Sequence, residues 1–154
     1  MKFYYAFGFS ALHNPYPELI FKKENMQEII AWCGQHPDVG PYRLMALAPL
    51  LNGDGLSEAV MLLMDNYGSD KLVRAALSDK LGSFSGPTST YDARAKLIEP
   101  LTKHKNPDVS NWATLEIDRL RYYGEQSQRW EDNLMLPGRL PGHQWTLNDD
   151  EDEA

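Results

Sequence analysis

Between Glu24 and Tyr123, apolar residues recur at spacings of three and four, the period of helices with one buried side, and six such segments can be read. The first spans 26–33, with Asn25 and Glu28 spaced as a capping box and Gly34 as its stop. The second follows His36-Pro37-Asp38 and carries Tyr42, Met45, Ala46, Pro49 and Leu50 on one side. A third covers 56–67 and ends at Gly68. A fourth opens after Ser69 or Asp70 and ends at Gly82. The polar stretch 83–90 then leads into a fifth at about 91–103, with Ser89 or Thr90 as its cap. The sixth opens after Asn106-Pro107-Asp108 and runs to Tyr123, ahead of Gly124.

Helices joined pairwise by short turns invite a search for an internal repeat, and one is legible. The second helix reads Tyr42-Arg43, Ala46, Leu50; the fourth Val73-Arg74, Leu77, Leu81; the sixth Trp112-Ala113, Glu116, Leu120. Each opens with a large apolar residue eight positions before a leucine, about two turns along the same side. The frames lie roughly 31 and 39 residues apart, a spacing suited to a two-helix unit. His36-Pro37-Asp38-Val39 and Asn106-Pro107-Asp108-Val109 match as turn signals: proline blocks continuation of the preceding helix and aspartate can cap the next.

On these residues the chain resembles the HEAT-like α-helical repeats. In that family the second helix of a pair opens with Asp, then Val-Arg, a small apolar residue and a leucine. Asp70, Val73, Arg74, Leu77 and Leu81 fit, whereas the sixth helix departs at Ala113 and Glu116. The stretch 59–123 is also similar to the end segment of large bacterial repeat proteins, through its Gly-Ser-Phe-Ser-Gly loop at 82–86, Leu-Ile-Glu-Pro-Leu at 97–101 and Asn-Pro-Asp-Val at 106–109. The resemblance implies an all-α fold: a short right-handed α-solenoid of about three HEAT-like helix pairs with irregular N- and C-terminal covers. A lone pair cannot bury its apolar side, so neighbours stack and the ends need covering. The aromatic run at 3–9 is the expected cover at one end. Trp130, Leu134, Leu136, Leu140 and Trp145 are expected to cover the other, with Pro137, Gly138, Pro141 and Gly142 turning the chain back. Pro49 and Pro100, placed inside helices, are expected to bend them.

Charge changes the picture less than its total suggests. Of the net −7, residues 149–153 supply five, leaving about −2 over the rest. The expected division is one domain over 1–147 and an acidic, solvated tail over 148–154. A body so nearly neutral disfavours nucleic-acid binding through a basic face. Lys2 and the apolar run to Leu12 loosely imitate a signal peptide, but the run is aromatic and no small-residue cleavage site follows. Nothing approaches the ~20 consecutive apolar residues of a membrane-spanning helix. A single cysteine, Cys33, rules out an internal disulfide framework and fits a reducing, cytoplasmic setting.

Chemistry-bearing patterns are sparse. His13, His36, His104 and His143 show no metal-ligand spacing, and His36 and His104 read as exposed helix-end residues. Cys33 reads as a buried structural thiol. No glycine-rich phosphate loop exists, and Ser83, Ser85, Thr88, Ser89 and Thr90 lack a neighbouring base or nucleophile elbow. Lys96, Lys103, His104 and Lys105 gather at a helix end, where the helix dipole accounts for them. Trp112 is placed in the core. Tyr122, Tyr123 and Trp130 lie at or beyond the end of the repeat, and exposed aromatics anchor protein interfaces, so these three are the candidate partner-binding residues. No catalytic, cofactor-binding or metal-binding residue is assigned. The expected function is therefore non-catalytic binding of one protein partner. Family habit for a bacterial chain of this size and acidity points to an immunity or antitoxin-type inhibitor of a toxin. A structural or regulatory segment, similar to the sensing end of a larger repeat protein, is the alternative, and the oligomeric state stays open.

Overall fold

A computed structural model describes residues 20–83 and 88–135. These are mostly helical, with one small two-stranded sheet. In chain order they form α1 (Met26–Gln35), α2 (Gly40–Leu47), β1 (Leu51–Asn52), β2 (Gly55–Leu56), α3 (Glu58–Tyr67), α4 (Lys71–Gly82), α5 (Thr88–Ile98), a 3₁₀ turn (Glu99–Lys103) and α6 (Pro107–Leu134). The expected cover at 3–9, the acidic tail, His13, His143 and the Leu136, Leu140 and Trp145 part of the C-terminal cover lie outside the described residues. Of that cover's described members, Leu134 is half-buried and Trp130 is exposed rather than packed over the end.

Contacts between elements follow the order of the chain. α1 touches α2, α3 touches α4, and α5 packs extensively on α6. Across these pairs, α2 packs on α4 and α4 on α6. One continuous apolar cluster fills the interior, with Leu44, Met45, Val60, Met64, Val73, Leu77, Leu81, Ile98, Leu101, Val109, Ala113 and Leu120 fully enclosed.

Several helix boundaries differ from the sequence pattern, each for an identifiable reason. Asn25 caps nothing with its side chain: it sits in a helical conformation at the end of a 3₁₀ turn, and its Nδ2 donates to the Ile20 carbonyl. The capping box with Glu28 is therefore absent, and α1 runs through Gly34 to Gln35. α2 stops at Leu47, because a residue preceding proline is pushed out of the helical region; Ala48, before Pro49, has ψ 139°. Pro49 thus terminates a helix rather than bending one.

The chain released there forms a hairpin that helical periodicity did not foresee. Leu51 pairs with Leu56 and Asn52 with Gly55, around a two-residue loop whose first member, Gly53, has φ 63°. Few residues other than glycine adopt that backbone readily. Ser57 closes the hairpin and starts α3: its Oγ accepts the Val60 N–H and its own N–H donates to the Leu50 carbonyl. Asp70 caps α4 as expected, accepting the Leu72 N–H at 2.8 Å. Ser89 and Thr90 fall inside α5, which begins at Thr88. Pro100 lacks an N–H for the α-ladder, and the chain continues past it as the 3₁₀ turn.

Asn106, rather than Asp108, caps α6, accepting the Asp108 N–H at 2.9 Å. The helix then runs 28 residues, through Gly124, which is buried within it. Glycine permits a turn without imposing one.

The repeat frame holds best in α4, where Val73, Leu77 and Leu81 are all fully buried. In α2 the core positions are Leu44 and Met45, while Ala46 is exposed and Tyr42 and Leu50 are half-buried. In α6 Glu116 and Leu120 are buried as the frame has them, and only its first position moves, from Trp112 to Ala113. Trp112 lies at the edge of the core and donates its indole N–H to Ser78 Oγ at 3.0 Å. Leu97 is likewise only half-buried, the interior positions of α5 being Ala95 and Ile98.

Candidate protein-binding surface

α6 has two unlike halves. From Val109 to Leu120 its core-facing positions are enclosed, and its flank is tied to α4 by polar contacts. Glu116 is 5 % exposed, and a buried carboxylate requires a partner; Arg119 supplies it. The Arg119 Nε donates to Glu116 Oε2 at 3.0 Å, and a terminal guanidinium nitrogen also donates to the Ser78 carbonyl at 3.3 Å. The hydrogen bonds to Glu116 raise the Arg119 pKa above its ordinary value. Arg94 of α5 donates to the Lys80 and Leu81 carbonyls at 2.7 and 2.9 Å. It thereby satisfies orphan acceptors at the end of α4. This polar seam locks α4, α5 and the first half of α6 together.

Beyond Gly124 the helix changes character, because 125–135 are exposed or half-exposed throughout. The three residues singled out in the sequence lie here and just before it. Tyr122 is 57 %, Tyr123 45 % and Trp130 67 % exposed. Tyr123 is the inner end of the row: its ring lies 6.4 Å from that of Tyr91 on α5, and the Arg119 guanidinium sits 5.5 Å over it. Tyr122 meets Tyr123 edge-on at 5.8 Å. Trp130, two turns further, completes a row along one side of the helix. Leu115, 70 % exposed, lies two turns before Tyr122 on that side. Sequence reasoning missed it because its spacing matches the core pattern nearly as well as that of Glu116 does.

A second apolar surface lies between α2 and α4. It is an open groove of about 520 Å³ lined by Tyr42, Ala46, Leu72, Ala75 and Ala76, with Asp79, Lys80 and Ser83 along it. Burial lowers the Lys80 pKa.

The histidines differ from expectation. His104 is no exposed end residue: its side chain is 7 % exposed, and its Nε2 lies 2.8 Å from Asp65 Oδ1. Its Nδ1 accepts the Asn106 N–H, which leaves Nε2 as the donor to Asp65. Both ring nitrogens are therefore engaged in hydrogen bonds to the protein itself. Asn106 also donates through Nδ2 to Ser69 Oγ at 2.7 Å. Together these bonds stitch the α3–α4 turn to the start of α6. His36 packs its ring against Trp32, 4.8 Å between centroids. Cys33 is fully enclosed, and burial pushes its thiol up to about 12, which makes it a poor nucleophile.

Among the described residues no group of three or more His, Cys, Asp or Glu side chains could hold a metal ion, and no helix is long and apolar enough to cross a membrane. No family model matches the chain, and no curated protein or solved structure matches it either.

Proposed function

We propose that this chain is a non-catalytic protein-binding module whose three helix pairs stack as a short right-handed α-solenoid of the HEAT-like kind. The packing of α1 on α2, α3 on α4 and α5 on α6, with α2, α4 and α6 touching in series, supports that arrangement. The observation that carries the binding reading is the row Leu115, Tyr122, Tyr123 and Trp130 on a helix that outlasts its own packing. Large apolar rings presented together from one helix are the usual anchors of protein interfaces. A cytoplasmic setting agrees with the single buried thiol, and an inhibitor of the immunity or antitoxin type is the form of partner binding this reading favours.

The test is capture of the partner with the full chain, followed by calorimetric titration of Tyr122→Ala, Tyr123→Ala and Trp130→Ala. At least one should weaken binding by ~2 kcal/mol or more with the fold intact. Binding unchanged in all three variants would remove the surface, and a turnover abolished by one histidine substitution would remove the non-catalytic reading.

A further inference from the structure

The second half of α6 carries a pattern that complements its own reverse. At about 100° per residue, Tyr122 and Gln126 run down the middle of its exposed side. Tyr123 and Trp130 stand on one flank of that line, Glu125 and Arg129 on the other. Glu125 and Arg129 form no ion pair with any described residue.

Two such helices laid antiparallel about a two-fold axis near residues 126–127 bring Tyr123 of each copy opposite Trp130 of the other. The same axis brings Glu125 opposite Arg129, twice. A single operation therefore satisfies an aromatic pair on one flank and a charge pair on the other, which is the self-complementarity an isologous contact requires. The buried side of α6 faces its own body, so the second copy approaches from the open side. About ten residues of helix projecting into water are also marginal alone, and a partner helix supplies the apolar surface they lack.

We propose that the exposed side of α6 is a homodimer surface, in which a second copy of this chain packs antiparallel across Tyr122, Tyr123, Gln126 and Trp130 with reciprocal Glu125–Arg129 pairs. This rests on the protein-binding reading above and names the partner as a second copy.

The experiment is sedimentation equilibrium on the full chain across a micromolar concentration series. The wild type should show a monomer–dimer equilibrium. Glu125→Arg and Arg129→Glu should each weaken the dimer at least ~10-fold, because each places like charges opposite one another twice. The double variant E125R/R129E should restore it, an outcome that a general effect on helix stability does not produce. Trp130→Ala should weaken the dimer ~10-fold or more, with circular dichroism reporting whether the monomer stays folded.

A dimer indifferent to both charge reversals would place the interface elsewhere and overturn the assignment. A chain monomeric at every concentration would overturn it too. If Trp130→Ala then abolishes binding of a different captured protein, the binding-module reading survives the loss of this one. If that variant only lowers the melting temperature of a monomer, the row is covered within the chain and both readings fall.

Discussion

His104 Nε2 and Asp65 Oδ1 meet at 2.8 Å across 39 residues of sequence, joining the end of α3 to the turn that starts α6. The imidazole is held from both sides, since its Nδ1 accepts the Asn106 N–H at 3.1 Å. Replacing it with alanine removes both bonds and strips the Asn106 N–H of its acceptor. His104→Ala should therefore cost ~1–3 kcal/mol in urea denaturation. A loss within the scatter of ordinary surface substitutions would mean that water replaces the ring without penalty.

Gly68 presents a different constraint at the same junction. Its φ of −65° suits any residue, so the demand is for space. A Cβ there would overlap the Met64 carbonyl oxygen and a Val109 methyl. Since the first of these is backbone, a rotamer change cannot relieve it. Gly68→Ala should destabilise by ~1–3 kcal/mol, the range for overpacking, and thermal melts of the two proteins would show it.

Leu81 and Leu101, which precede and follow α5 in the chain, are both enclosed in the one core cluster. Truncation of either to alanine should cost ~2–5 kcal/mol, as transfer and cavity contributions add. A negligible effect from both, measured by denaturant titration, would contradict a shared interior.

Cys33 predicts an alkaline signature. An exposed unfolded thiol ionises near its ordinary 9.0, whereas burial pushes the folded one up to about 12. The folded pKa is the higher, so the stabilisation is complete below pH 9 and is lost as pH rises toward 12. The slope approaches ~1.4 kcal/mol per pH unit between those limits. Tyr67, also raised by burial and then by the neighbouring Cys33, acts in the same direction. Stability curves from pH 7 to 10.5 should fall more steeply for the wild type than for Cys33→Ala.

What the sequence made legible divides along physical lines. α4 was readable from end to end because Asp70, Gly82 and Val73-Leu77-Leu81 all express local rules of capping, stopping and periodicity. The hairpin at 51–56 falls in the gap between two helical periods, where a search for helices passes over it, although Asn52-Gly53-Asp54-Gly55 carries the turn chemistry that marks it. The end of α2 was signalled by Pro49, read as a bend instead of a boundary. α6 outruns the sequence signal because glycine stops a helix only where the chain needs a left-handed residue, and Gly124 is not such a position. Tyr122, Tyr123 and Trp130 were found as aromatics the core pattern does not need. Their exposure follows from the helix continuing beyond the elements that wall its first half. The His104–Asp65 bridge was beyond reach, because it depends on how two turns far apart in sequence come together.

The uneven walls of α6 give one continuous helix two grades of permanence. Amide hydrogens between Val109 and Leu120 sit where side chains are enclosed and should exchange only on global opening. Those after Gly124 sit where every described side chain is exposed or half-exposed, and they should exchange by local fraying. A molecule that settles on Tyr122 and Trp130 does not meet a finished rod. It meets a helix whose last turns have few side chains packed over them, and its affinity is reduced by the free energy of holding those turns wound. Ser127→Ala, which raises helix propensity away from the aromatic row and the Glu125–Arg129 pairs, should therefore tighten binding, a gain in affinity from a residue that makes no contact with the partner.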